Sequence, residues 1–273
     1  MTNKIFKFLY IILIAFFIIS FFQLKKLPTR DPMVPEMMNE PIQATSTVLT
    51  DFDFDYRGTD YNVRPFVDYE LWGLVVTMNN IKTWYNVYHD KDSVNLKDVC
   101  VIWGENLSSN AYRDVHYRSG EWTCYTRWYK KLDGPFLGTK LSNNHLLSDN
   151  KKVRDIIKKV KIGDQIHLRG TLVGYAKKGE KNYRNSSLTR TDTGNGACET
   201  FFMEKAEILK KGLATWYSLQ KWSKNILVLL VFLQLIIFLK KIKKESKLLQ
   251  EYSNKHPRRP KYLKPDLGKI KSR

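Results

Sequence analysis

The sequence predicts an α+β protein, mainly β at its centre, in which a β-rich extracytoplasmic domain lies between two transmembrane helices. Two apolar runs near the ends of the 273-residue chain, 8–24 and 226–239, predict the helices. The residues between them carry strand-like patterns, and 43% of the chain is hydrophobic, which supplies enough apolar side chain for one sizeable core. We therefore expect one folded domain with a membrane anchor on each side.

The second apolar run is short for a membrane span. Its fourteen positions, interrupted by Gln234, cover only about 21 Å of a hydrocarbon core that is about 30 Å thick. Trp216 and Trp222 upstream are typical interfacial aromatics, and lysines on both flanks can reach the head groups. We predict a transmembrane helix, and the alternative is a buried helix of a soluble core.

The first apolar run has the features of an uncleaved signal anchor. Lys4 and Lys7 precede it, and it ends in bulky residues and then charges. A cleaved signal peptide, which is the alternative, would end in small residues of the Ala-x-Ala kind.

The orientation follows from the positive charges beside the spans, which are retained in the cytoplasm. Residues 240–273 contain thirteen Lys and Arg against three acids, a net charge of +10 out of the +19 of the whole chain. This predicts a two-pass protein of a cell membrane, most simply a bacterial inner membrane, with both termini in the cytoplasm and the central domain outside. Lys25 and Lys26 argue mildly against this orientation because they would lie outside.

The predicted boundaries follow from these segments. They are a signal anchor at 1–24, a Pro-containing linker at 25–47, the β-rich extracytoplasmic domain at 48–212, a transmembrane helix with an interfacial flank at 213–241, and a basic cytoplasmic tail at 242–273. Basic side chains next to a bilayer attract anionic lipid. The residues expected to contact such lipid are Lys240, Lys241, Lys243 and Lys244.

The central domain shows mostly strand patterns. Residues 51–56 alternate acid and aromatic, and their three Asp residues suggest either a cation site or a solvated strand face. We favour the solvated face, because cation loops place their oxygen ligands on a turn with glycine and further acids. A short helix or turn is expected at 84–89, and the further expected strands are 69–78, 98–103, 112–117, 121–129 and 198–208.

One soluble helix is predicted at 150–160. Val153, Ile156, Ile157 and Val160 recur at helical spacing, and Asp149 or Asn150 would cap the amino-terminal end. Its lysine-rich outer face is expected to be solvated, and a polyanion or lipid-surface site is the alternative.

Residues 162–175 resemble the strands of small OB-like β-barrels. A Gly-Asp turn at Gly163 and Asp164 opens the segment, and Gly170 lies mid-strand, where a glycine permits the strong bend that barrel strands need. The resemblance implies an OB-like fold for the domain but no particular ligand. Nucleic acid, a familiar ligand of such barrels, is not expected on the outside of the membrane.

The polar stretch 177–197 and the preceding segment 141–145 are the candidate ligand site. Their side chains are more polar than a simple turn requires, although an ordinary surface hairpin is the alternative, and no P-loop pattern is present in the sequence. The predicted ligand-binding residues are Asn144, His145, Arg184, Ser187, Arg190, Asp192 and Asn195.

The three cysteines lie in or beside predicted strands. An oxidising compartment would permit one disulfide, for which we favour Cys100 with Cys124. A tethered hydrolase using Cys198 or a Ser/His pair, with His145 or His167 as base, is the enzymatic alternative. No metal or cofactor is expected, because the sequence lacks H-x-x-x-H and C-x-x-C spacings.

These observations predict a membrane-anchored envelope protein of a non-enzymatic, binding or assembly type. Its outer domain would contact a partner protein or a polyanionic ligand, while the tail contacts anionic lipid. Inverted topology would instead make the domain a cytoplasmic nucleic-acid-binding module.

Overall fold

A computed structural model describes most of the chain: residues 2–31, 33–47, 50–81, 93–120, 123–192 and 197–256. The turn expected at 84–89 and the predicted ligand residue Asn195 lie outside these ranges. The chain divides into two compact units, one made of Met1–Ile19 with Leu219–Arg273 and the other of Ser20–Ser218.

Two long helices stand at the ends of the chain, α1 at Thr2–Gln23 and a second one at Ala214–Lys255. Both are long and apolar enough to cross a membrane, by length and composition. Only 11% and 6% of their most apolar windows are buried, whereas the core helix of a soluble protein would be mostly buried. The second helix continues well beyond 226–239 on both sides, so the short apolar run does not limit the length of the helix. These features are consistent with membrane association.

The unit between these helices is built mainly from strands. In chain order they are β1 (Ile42–Thr45), β2 (Phe52–Tyr56), β3 (Thr59–Asn79), β4 (Lys97–Ile102), β5 (His116–Ser119), β6 (Cys124–Arg127), β7 (Leu141–Leu147), β8 (Gln165–Lys177), β9 (Arg184–Asn185) and β10 (Glu199–Lys210). The protein is therefore a mixed α+β protein with a large β sheet, as the sequence predicts.

The large sheet is organised around β3. This strand is 21 residues long; its part at 61–74 pairs with β8, and its part at 74–79 pairs with β4. From β4 the pairing continues to β7, then in parallel to β10, and then to β8. Strands β1 and β2 pair with β3, β9 pairs with β8, and β5 with β6 forms a separate two-stranded sheet. The long strand β3 therefore pairs with both β4 and β8, which are the first and last strands of this series.

The main core lies on one face of this sheet. Val63, Leu71, Val99, Leu146 and Phe201 are all fully buried there, although they come from four different strands. Burying a side chain of this size contributes roughly 1.5–3 kcal/mol. Strand β4 is buried at every position, because Val99 belongs to this core and its neighbour Cys100 to a second cluster.

Helix α2 (Lys151–Lys159) is capped at both ends, and we number the second long helix, Ala214–Lys255, α3. The Asn150 side chain accepts a hydrogen bond from the Lys152 backbone N–H at 2.9 Å, which confirms one of the two predicted caps. At the other end the buried Lys97 ammonium donates to the carbonyls of Lys158 and Val160, at 3.2 and 2.8 Å. A cation there complements the negative end of the helix dipole.

The segment expected to be an extended linker, 25–47, lies against the domain. Leu27 and Met37 are buried with 6% and 0% exposure, and β1 pairs with β3. The Trp103 indole N–H donates to Glu40 Oε2 at 3.1 Å. Apolar side chains of this segment thus pack into a second core cluster, whereas a linker would leave them exposed.

Strand β5 begins later in the chain than the strand that the sequence predicts at 112–117. Residues Ala111–Asp114 form a 3-10 turn, and β5 begins only at His116. The buried Tyr112 donates its hydroxyl hydrogen to the Pro28 carbonyl at 2.6 Å. This long-range contact fixes the turn, and the local sequence pattern does not contain it.

Candidate functional site

The candidate ligand residues lie where the segment 184–192 runs beside the start of β10. The Ser187 N–H donates to the Cys198 carbonyl at 2.9 Å, and the Thr200 N–H donates to Ser186 Oγ at 3.0 Å. On its other side β10 pairs in parallel with β7, which carries His145. The polar segment and the predicted histidine are therefore brought to the same part of the domain.

A first polar network joins three charged or polar side chains, Asp98, His145 and Arg184; we call it the histidine network. His145 Nδ1 lies 2.6 Å from Asp98 Oδ1, and Arg184 Nη2 lies 2.7 Å from His145 Nε2. Since a guanidinium can only donate, Nε2 accepts and Nδ1 carries the hydrogen to Asp98. The His145 ring thus lies between a carboxylate and a guanidinium, both of which come from other elements.

A second network joins Arg190, Glu199 and Tyr69; we call it the arginine network. Arg190 Nη1 donates to the Tyr69 hydroxyl at 2.8 Å and to Glu199 Oε1 at 3.2 Å. The guanidinium also lies over the Tyr69 and Trp103 rings, 4.9 and 5.4 Å from their centroids. Such stacking is favourable for a desolvated guanidinium.

The pKa of the Glu199 carboxyl in this network is strongly shifted. Burial raises its pKa to about 8, against the opposing effect of the nearby Arg190 charge. Burial likewise raises the pKa of the Tyr69 hydroxyl. A carboxyl with this pKa holds its proton in the folded protein around neutral pH.

Several buried polar atoms of the site have no hydrogen-bond partner within the described ranges. They are Glu199 Oε2, Arg190 Nη2, Asn144 Oδ1 and Thr200 Oγ1. Buried polar atoms normally have a partner, which can be a protein group, an ordered water or a ligand. An ordered water can supply such a partner.

The predicted ligand residues do not form one constellation. His145 and Arg184 meet in the histidine network, and Ser187 donates a hydrogen bond to Asp192. Asn144 instead donates to the Val99 carbonyl and to Ser142 Oγ. The structure thus distributes these residues between separate groups.

Sequence reasoning missed the acidic and aromatic partners in both networks. Asp98 is the second residue of the apolar strand β4, and Glu199 begins β10, so each was assigned to an apolar strand. A charged residue at a position that is buried, as both are, needs a partner. That rule was the available signal, but it could not say which residue is the partner.

The cysteines divide as expected into a pair and one thiol. Cys100 and Cys124 are joined by a disulfide, which links β4 to β6. Cys198 is buried, and Asn143 Nδ2 lies 3.5 Å from its sulfur. Burial raises the pKa of the Cys198 thiol, which disfavours the thiolate that a nucleophile needs.

The two candidate bases are engaged by other groups. The Nε2 lone pair of His145 accepts from Arg184. His167 lies between Glu70 and Glu207, at 2.7 and 3.2 Å, and stacks on Trp72. This geometry does not favour the hydrolase alternative.

Within the described residues, no group of three or more His, Cys, Asp or Glu side chains could hold a metal ion.

An exposed aromatic surface lies on the small sheet; we call it the hairpin surface. Tyr125, Trp128 and Tyr129 are 49%, 47% and 69% exposed. The guanidiniums of Arg118 and Arg127 lie over the Tyr125 and Tyr129 rings, 4.5 and 4.6 Å from their centroids. Exposed Trp, Tyr and Arg side chains are the types that dominate binding energy at protein interfaces.

Comparisons with protein-family models, with curated proteins and with solved structures find no match to this chain.

Proposed function

We propose that this protein is a two-pass envelope protein of a binding or assembly type, with both termini in the cytoplasm and the β-rich domain outside. The observation that carries the proposal is the Cys100–Cys124 disulfide, since such bonds persist in oxidising compartments and are rare in the cytosol. It agrees with the +10 net charge of 240–273, which predicts a cytoplasmic tail. The disulfide also argues against the cytoplasmic nucleic-acid-binding alternative.

We further propose that the domain is OB-like, because of the order in which its strands pair. The ladder runs from β3 through β4, β7, β10 and β8 and returns to β3, and α2 lies between β7 and β8 in the chain. An OB fold is a five-stranded, partly open Greek-key barrel. The register of β8 against β10 shifts between Met203 and Lys205, beside Gly170, as expected for a bend at a mid-strand glycine.

The hairpin surface is the proposed contact with an anionic partner. Residues 116–131 contain four Lys and Arg against one acid, a net charge of +3. The disulfide attaches β6 to the large sheet, which holds the exposed aromatic residues on a rigid support. A preordered aromatic and cationic surface loses little conformational entropy on binding. The polar side chains of the two inner networks, in contrast, hydrogen-bond to each other.

The topology is tested by reporter fusions. A reporter that is active only outside the cytoplasm is expected to work when inserted after Gly138, in a surface turn, and to fail when fused to Arg273. Fusions with a reporter that is active only in the cytoplasm should give the opposite pattern and serve as the control. Activity of the first reporter at Arg273 would reverse the proposed orientation.

The reactivity of the cysteine thiols tests the location of the domain outside the cytoplasm without the use of fusions. Alkylation of the unfolded protein without reductant is expected to label one cysteine, Cys198, and reductant should raise the number to three. Three reactive thiols without reductant would contradict the oxidising location.

Binding by the hairpin surface is tested on immobilised dextran sulfate, a polyanion. The double variant R118Q/R127Q of the detergent-solubilised chain is expected to bind about tenfold more weakly, because two exposed ionic contacts contribute up to about 1 kcal/mol each. The variant K152Q/K159Q removes the same charge from the exposed face of α2 and should bind like the wild type. Equal weakening of the two variants would show that only net charge matters and that the hairpin surface is not the site.

A further inference from the structure

A cavity lies where the β-rich unit begins and ends along the chain. It measures about 300 Å³, within the usual size of small-ligand pockets. Four cationic residues line it, Lys26, Arg113, Lys210 and Lys211. Asp31 is the one acid among its lining residues in the described part of the chain, so the cavity favours an anionic ligand.

The backbone around the cavity is held by contacts within the same unit. Arg113 Nε donates to the Leu27 carbonyl at 3.0 Å, next to the Tyr112 contact with Pro28. Gly212 packs so closely that an added Cβ would lie 2.0 Å from the Gly163 carbonyl oxygen. Because these contacts fix its walls, the cavity is largely formed before any ligand binds.

Two residues that line this cavity lie close in the chain to the candidate spans. Lys26 follows the end of the first apolar window, Gln23, by three residues, which is at most about 11 Å of chain. Trp216 also lines the cavity and belongs to the first turn of α3. A tryptophan at the start of a span is typical of the head-group layer.

We propose that this cavity binds the phosphate-bearing head group of an anionic phospholipid in the leaflet on the domain side. Lys26, Lys210 and Lys211 are exposed lysines whose positive charges attract a phosphodiester, and Arg113 supplies a guanidinium. The Trp216 ring would contact the glycerol region below the phosphate. The site differs from the tail lysines at 240–244, which follow the apolar run of α3. The proposal requires that both end helices cross the membrane, and it does not depend on the hairpin surface.

The test uses the full-length chain in detergent, titrated with short-chain phosphatidylglycerol and followed by native mass spectrometry. The double variant K26Q/K211Q is expected to bind this lipid roughly thirtyfold more weakly. Each basic side chain near anionic lipid contributes about 1 kcal/mol, and the loss of two such contributions, about 2 kcal/mol, corresponds to this factor. K152Q/K159Q is the matched control and should bind like the wild type. Because the four substituted lysines are exposed, both variants should keep the wild-type unfolding temperature.

Two further ligands distinguish the sources of the anion. Short-chain phosphatidylcholine and inorganic phosphate are both expected to bind much more weakly than phosphatidylglycerol. Equal binding of phosphatidylcholine would show that the cations do not select the ligand, and equal binding of phosphate would show a simple anion site. Either result, or an unchanged affinity in K26Q/K211Q, would overturn the proposal.

Discussion

The thermal stability of the solubilised protein is expected to fall as the pH rises from about 5 to about 9, because Glu199 loses its proton. The substitution Glu199→Gln is expected to remove the part of the fall that this residue causes. The Glu199 carboxyl has an ordinary pKa of 4.5, and burial raises it to about 8 in the folded protein. The folded state therefore holds the proton more tightly than the unfolded state. The stabilisation is complete below pH 4.5 and is lost as the pH rises through about 8.

The size of this effect follows from the pKa difference. At about 1.36 kcal/mol per pKa unit, the rise from 4.5 to about 8 corresponds to a contribution on the order of 5 kcal/mol. At pH 9 Glu199→Gln should therefore unfold at a higher temperature than the wild type, because the amide resembles the protonated acid. At pH 4.5 the two proteins should unfold at similar temperatures.

Comparing two proteins that differ only at this position isolates Glu199 from other groups. Burial also lowers the pKa of Lys97 to about 8, and this base stabilises the fold increasingly as the pH rises above that value. That opposite trend is present in both proteins and cancels in the comparison. A Glu199→Gln protein that is less stable than the wild type at pH 9 would show instead that an ionised Glu199 stabilises the fold through Arg190.

Gly170→Ala is expected to prevent normal folding of the β-rich domain. An added Cβ would lie 2.1 Å from the Phe202 carbonyl oxygen and 2.9 Å from the Met203 Cα, both of which are backbone atoms of β10. Side chains could move aside, but these atoms can move only if the pairing of β8 with β10 shifts. Overpacking typically costs about 1–3 kcal/mol, and we expect the upper end here because the atoms in contact belong to the backbone.

Gly138→Ala is the control for this prediction. An added Cβ at Gly138 meets no atom within 4 Å, so the control should unfold at the wild-type temperature. The measurement is the thermal unfolding temperature together with resistance to limited proteolysis. A Gly170→Ala protein as stable as the control would show that β8 and β10 are not packed as closely as described.

The sequence predicted elements whose signals are local. The spacing of Val153 and Ile157 indicated α2, and Asn150 indicated its cap, because a helix face and its first turn involve neighbouring residues. The two apolar helices followed from length and composition alone. The disulfide between Cys100 and Cys124 could be favoured because both lie in strands with aromatic neighbours.

The candidate site could be located but not assembled from the sequence. His145 and Arg184 were selected for their polar surroundings, and the structure does bring them together. Their partner Asp98 was missed, because it lies at the start of an apolar strand 47 residues before His145. Pairing between strands sets such contacts, and no local pattern encodes the register of two distant strands.

The sequence by itself therefore determined the two apolar helices, the strand-rich centre, the capped helix and the basic tail, because each depends on composition or on residues close in the chain. Only the tertiary structure decided that the segment 25–47 packs on the domain, that β3 pairs with both β4 and β8, and that Arg190 meets Glu199. In each case the deciding free energy comes from burying groups that are far apart in sequence. A buried charge or apolar residue shows that a partner is required, and the fold determines which partner it is.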